Sequence, residues 1–134
     1  IDEFFNYKFG ALPYRSLNFE FKTLTQKQFQ SAAVVNYTGE EPYTRITEFK
    51  HFLNQQAQKT VIAYEYPSSF EINKNERYYP VPTKEHEALY RKYLTLLREE
   101  TNIYFIGRLG AYQFYSMQSA VLAMFEFFRE LTTI

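Results

Sequence analysis

Few residues in this chain have both the type and the placement to do chemistry. Arg45 stands between Thr44 and Ile46 in the β-prone run YTRITEFKHF. A guanidinium there either runs out to water from an edge strand or points into a cleft, where it grips a phosphate or carboxylate in bidentate fashion. Glu65 is the only charge in TVIAYEYP. It is either a sheet-edge carboxylate paired with a Lys or Arg on a neighbouring strand, or a carboxylate facing a cleft. Tyr78 and Tyr79 precede Pro80; a phenol is a packing group and also a neutral donor to phosphate oxygens. Arg108, next to Gly107 in the GRLG turn, reads as a surface ion-pair partner or an anion ligand. His51 and His86 stand apart from any Asp, Glu or Cys cluster at ligand spacing, so no metal is assigned. No Ser-His-Asp arrangement and no phosphate-cradling Gly-rich loop is visible.

These residues need elements to hold them, and Gly107–Leu131 is the stretch around which the others are organised. Ile103–Ile106, just before it, is short, uncharged and rich in aromatic and β-branched residues, which predicts a buried strand. Gly107 breaks that run. From Met117, apolar residues recur at helical spacing through Ala120, Val121, Met124, Phe127, Phe128 and Leu131, with Ser116 as N-cap. A strand that feeds through a Gly-Arg turn into a helix N-terminus presents free N–H groups and a dipole to an anion. A plain core element has the same pattern.

Upstream, residues 1–10 predict a short aromatic helix or turn closed by Gly10. After Pro13, Leu17, Phe19 and Phe21 alternate with Ser16, Asn18, Glu20 and Lys22, which predicts a half-buried antiparallel strand. Ala32–Thr38 is apolar on both faces and predicts a central strand; GEEP then turns the chain. Tyr43–Phe52 predicts a third strand, with Tyr43, Arg45, Thr47, Phe49 and His51 on one face. Thr60–Tyr66 predicts a fourth, ended by Pro67. Thr83 caps a helix with Leu89, Tyr90, Tyr93, Leu94 and Leu97 as its apolar stripe. The sum is an α+β fold: a mostly antiparallel sheet of about four strands flanked by helices. Residues 1–82 form the sheet region, and residues 83–134 hold a helix, a strand and the C-terminal helix.

Bulk properties narrow the class. The 134 residues carry 15 basic and 15 acidic side chains, so no strong field points to nucleic acid or an anionic membrane. Without cysteine there is no disulfide framework and no thiolate chemistry. No apolar run is long enough to span a bilayer as a helix, which favours a cytoplasmic protein. Thirteen Tyr and fourteen Phe, with no Trp, point to thick aromatic sheet packing. The chain opens on Ile1 and ends in TTI directly after a helical pattern, as a piece of a longer protein would.

Taken in order, FGALPYRSLNFE, AAVVNYTGEEPYTRITEFKHF, YEYP, ERYYPVP, LYRKY and GRLGAYQFYSM resemble the C-terminal part of prokaryotic UDP-galactopyranose mutase. The resemblance runs from Ile1 nearly to the C-terminus. It implies a flavoenzyme that interconverts UDP-galactopyranose and UDP-galactofuranose for cell-surface polysaccharide synthesis. Reduced FAD acts there as a nucleophile, through a covalent N5–sugar adduct, in an enzyme that is a homodimer at full length. It also implies that Arg45 and Tyr79 bind the UDP diphosphate, and that Asn36 and Glu65 are polar active-site positions. Arg108, with Gly107, would lie near the FAD diphosphate, and Ser116 and Met117 would bring a helix N-terminus to the flavin pyrimidine. The strand, turn and helix from Ile103 onward would then belong to the FAD-binding domain of the full-length protein.

Three positions depart from the family pattern. YQFYSM replaces Y-K/R-Y-Y-D-M, so Phe114 lacks the hydroxyl of a second diphosphate-binding tyrosine and Ser116 replaces an aspartate. EFKHF replaces EHKHF, with Phe49 for a histidine. Losing one such phosphate hydrogen bond costs about 1–2 kcal/mol. The family's dinucleotide-binding unit lies N-terminal to everything here, so this piece alone is expected to bind FAD weakly or not at all and to be inactive. Two other readings stay open: a relative acting on another nucleotide sugar, or without activity, and a carbohydrate-binding or interaction module built on the aromatic sheet face.

Overall fold

A computed structural model describes residues 1–132. The elements run β1 (Tyr14–Leu24), β2 (Val34–Asn36), β3 (Arg45–Glu48), a 3₁₀ turn (Phe49–Leu53), β4 (Thr60–Ser69), β5 (Tyr79–Pro80), α1 (Lys84–Leu97), α2 (Gly107–Gly110) and α3 (Met117–Leu131). The fold is α+β. Its sheet has the order β2-β3-β4-β1-β5, with antiparallel pairing in β1·β5, β2·β3 and β3·β4. The expected four strands gain a fifth, β5, whose Tyr79 and Pro80 pair with Arg15 and Tyr14. The chain forms two compact units, one of Ser16–Asn75 and one of Ile1–Arg15 with the chain from Glu76 on.

In the Ser16–Asn75 unit, Ile46, Ile62 and Ala63 are buried where β3 and β4 pair. Three strand expectations change here. Ala32–Thr38 was expected in the centre of the sheet, but β2 is three residues long and lies at the edge, paired only with β3. The run Tyr43–Phe52 keeps strand geometry only through Glu48. Lys50 is buried in the following 3₁₀ turn and donates to the carbonyls of Lys27 and Ala57, and Asn54 closes the turn in the left-handed region at φ 48°. These local bonds override β propensity, so strand alternation no longer puts Phe49 and His51 on the Arg45 face. Pro67 does not end β4, which continues to Ser69. The last β3 partner is Glu65, so no β3 carbonyl needs the missing N–H of Pro67. In β1 the expected apolar face is open: Phe19 and Phe21 are exposed, Phe19 stacks on Phe21 and Phe21 on Phe49.

The other unit is built on tyrosines. Residues 1–10 form the expected turns, closed by Gly10 at φ 95°. The fully buried Tyr93 of α1 accepts from the Phe9 amide (3.0 Å) and donates to the Gly10 carbonyl (2.7 Å). Tyr112 is buried although its φ of 50° is left-handed, a conformation that costs a non-glycine residue about 1–2 kcal/mol. Its hydroxyl donates to Pro13 (2.7 Å) and Val81 (3.2 Å), and its ring stacks on Tyr90 and meets Tyr14 edge-on. Thr83 caps α1 by accepting from the His86 amide. Ile103–Ile106 does not form the expected strand: it carries no regular structure, and no strand among the described residues pairs with it. The GRLG turn is one helical turn, α2. Gly110 is required there, since an added Cβ would lie 2.9 Å from the Phe105 carbonyl carbon. α3 has its expected register and cap but buries none of its residues among those described.

Candidate functional site

The candidate residues fall into two groups, one in each unit. In the Ser16–Asn75 unit, Asn36, Arg45 and Glu65 form one cross-strand row over β2, β3 and β4, because Asn36 pairs with Arg45 and Arg45 with Glu65. Directly opposed residues on one face approach closely, so the row is imposed by register. The Asn36 Oδ1 accepts from the Arg45 Nε at 3.0 Å, and the Glu65 Oε2 lies 3.6 Å from Nη1. The Arg45 side chain is 46% exposed and that of Glu65 12%. Glu65 therefore matches the first of its two sequence readings, a carboxylate ion-paired with an arginine on a neighbouring strand, and with Asn36 it anchors a half-exposed guanidinium. Such a pre-oriented fork suits bidentate binding of a phosphate or carboxylate.

In the other unit, the Arg108 guanidinium sits 4.4 Å over the Tyr79 ring, and Phe114 stacks on the same ring at 5.4 Å and 27°. The Tyr79 hydroxyl has no hydrogen-bond partner among the described residues, so it is available to a ligand oxygen. α2 carries Arg108 and packs against both β5 and α3, which is why residues far apart in sequence meet. Gly107, at φ 75°, makes the sharp entry into α2 that a side chain would strain. Ser116 caps α3 by accepting from the Ser119 amide at 3.1 Å, while Met117 is 90% exposed at the helix tip.

Phe114 is 68% exposed and borders a cavity of about 510 Å³, whose walls include Glu87, Tyr90, Arg91 and Tyr112. Burial raises the phenols of Tyr90 and Tyr112 to about 12, so both stay protonated donors at neutral pH. Sequence reasoning missed this cavity because the periodicity of α1 assigns Glu87 and Arg91 to solvent. The Tyr79–Phe114–Arg108 stack was also missed, and only the aromatic pair flanking the Pro80 turn hints at it.

A family model described as UDP-galactopyranose mutase matches residues 1–114. The chain belongs to the UDP-galactopyranose mutase family. It is 39% identical over 127 residues to UDP-galactopyranose mutase of Mycoplasma genitalium, covering 91% of this chain and 31% of that protein. The probable UDP-galactopyranose mutase of Klebsiella pneumoniae is 38% identical, with 90% of this chain and 32% of the relative covered. The dTDP-fucopyranose mutase of Escherichia coli is 37% identical over the same shares, 90% and 32%. The chain thus spans about a third of the length of these relatives. Among the described residues no helix is long and apolar enough to cross a membrane.

Proposed function

We propose that this chain is the part of a flavin-dependent nucleotide-sugar mutase that holds the diphosphate of UDP-galactose while its ring size changes between pyranose and furanose. The observation that carries the reading is Arg45, clamped by Asn36 and Glu65 and otherwise without a hydrogen-bond partner among the described residues, in a chain of this family. In such a reaction UDP leaves the sugar and returns. A charge held in place keeps the leaving group within reach, and that positioning lowers the barrier. In the other unit, Tyr79 offers a neutral phenol donor suited to a phosphate oxygen. Glu65, itself buried, orients Arg45.

The donor set of the other unit fits FAD. The α3 tip would offer its positive dipole end to the electron-rich N1 and C2 carbonyl of a reduced flavin, with Met117 and Ser116 at that tip. Arg108 would meet the FAD diphosphate. When bound, reduced FAD contributes a nucleophilic N5 for the anomeric carbon, and this chain contributes orientation and charge. α3, with its apolar residues uncovered, would complete the flavin-binding region of a full-length, cytoplasmic and homodimeric enzyme.

A second nucleotide sugar is favoured by two observations: a relative named dTDP-fucopyranose mutase at nearly the same identity, and Phe114, whose ring presents no hydroxyl to a diphosphate. The test takes the full-length protein, reduces it with dithionite and supplies UDP-galactofuranose or dTDP-fucofuranose, with chromatography to detect the pyranose. Conversion of the UDP sugar is the expected result. Conversion of only the dTDP sugar assigns the second reading, and failure of both with FAD bound and reduced refutes mutase activity.

A further inference from the structure

Lys50 carries a charge that its surroundings leave unanswered. The residue is 8% exposed, and its ammonium donates to the carbonyls of Lys27 and Ala57. Among the described residues no carboxylate lies within ion-pairing distance of it. The nearest in sequence, Glu48, is fully occupied by the amides of Phe29 and Gln30, the Thr60 hydroxyl and the His51 ring. Two neutral carbonyls satisfy two N–H groups but do not cancel a buried charge.

Lys50 lines a cavity of about 390 Å³. Lys27, Gln28, His51 and the carboxamide-rich 54–58 loop complete its wall, and no Asp or Glu lines it. His51 commits Nε2 to the Gln30 carbonyl (3.0 Å) and Glu48 (3.1 Å), so its Nδ1 is left without a partner among the described residues. The cavity lies beyond Glu48, the last residue of β3, whereas Arg45 is the first; that separation is about 10 Å at the usual strand rise.

We propose that this cavity is a second binding site, for a phosphate-class oxyanion carried on a sugar-sized polyol. Lys50 is its fixed charge, Lys27 the cation at its rim, and the loop carboxamides its hydroxyl-recognising wall. The volume lies in the range of small-molecule pockets and exceeds what phosphate alone needs. Carboxamides both donate and accept, which matches hydroxyl groups. The proposal is independent of the mutase reading, since none of its residues belongs to the Arg45 or Tyr79 group.

The test is calorimetric titration of the full-length protein, with UDP saturating the nucleotide site, by inorganic phosphate, glucose 6-phosphate and glucose. Glucose 6-phosphate is expected to bind more tightly than phosphate, and glucose not at all. Lys27→Gln should weaken binding about 2–5-fold, as loss of one exposed charge does. Lys50→Met should abolish it. If Lys50→Met fails to fold, Lys27→Glu decides, with a weakening of tenfold or more expected. Binding indifferent to Lys27→Glu, or no heat from either anion, overturns the site. Equal affinity for phosphate and glucose 6-phosphate overturns its polyol half.

Discussion

At the scale of single residues, Arg45 matters because its partners remove its freedom before any ligand arrives. Asn36 and Glu65 hold one edge of the fork, so less side-chain entropy remains to be lost on binding. Arg45→Ala removes a charged hydrogen bond of about 1.5–3 kcal/mol, and kcat/KM of the full-length enzyme should fall about 10- to 100-fold. Arg45→Lys should recover only part of this, because a point charge cannot replace a bidentate fork. Phe114→Tyr runs the other way. Restoring the phenol beside Tyr79 should tighten UDP binding by about 1 kcal/mol, near fivefold by calorimetry; an unchanged affinity would show that Phe114 does not face the diphosphate. Arg45, Glu65, Tyr79 and Arg108 were all legible in sequence as polar groups in apolar or turn surroundings. Their partners were not, because register and helix docking, not local pattern, decide which side chains meet.

At the scale of elements, caps were the most legible features and strand ends the least. Thr83 and Ser116 cap α1 and α3 as their types predict, since capping depends on a side chain and an amide three residues away. Ser116→Ala should cost about 1 kcal/mol in thermal or denaturant melting, and Ser116→Asp should not, because a carboxylate caps equally well and suits the dipole. Gly110→Ala tests the turn before it. The new Cβ meets backbone rather than a flexible side chain, so α2 must shift at a cost of about 1–3 kcal/mol, and an unperturbed melt would contradict the close approach to Phe105. The strands at Ala32–Thr38 and Tyr43–Phe52 shrank for a different reason. β propensity describes what suits a pleated surface, but a strand also needs a partner along its length, and the buried Lys50 draws its own segment into a turn.

At the scale of the molecule, the two units depend on different titrating groups. Glu48 is completely buried in the Ser16–Asn75 unit; burial alone would raise its carboxyl, but bonds from Thr60, Gln30, Phe29 and His51 outweigh that and lower it. A group lowered by folding stabilises above its unfolded pKa, so this contribution fades as pH falls below about 4.5. Tyr90 and Tyr112, in the other unit, are raised to about 12 from an unfolded value of 10, so their contribution is whole below pH 10 and is lost between about 10 and 12. Hydrogen exchange followed by mass spectrometry should therefore show residues 16–75 opening first in acid and the tyrosine-built unit opening first in alkali. Glu48→Gln should flatten the acid response and, by turning an NH₂ toward donors, destabilise the neutral protein by about 1–3 kcal/mol. The α+β class and the chemical types available at the candidate site were readable from the residues alone, because they follow from side-chain chemistry and periodicity over short windows, and the order of the motifs pointed to the family. It took the folded chain to show that Asn36 and Glu65 clamp Arg45, that Arg108 and Phe114 stack on Tyr79, and that Lys50 is buried with no counter-ion among the described residues. Each of those depends on groups distant along the chain being brought within a few ångströms, which no local pattern encodes.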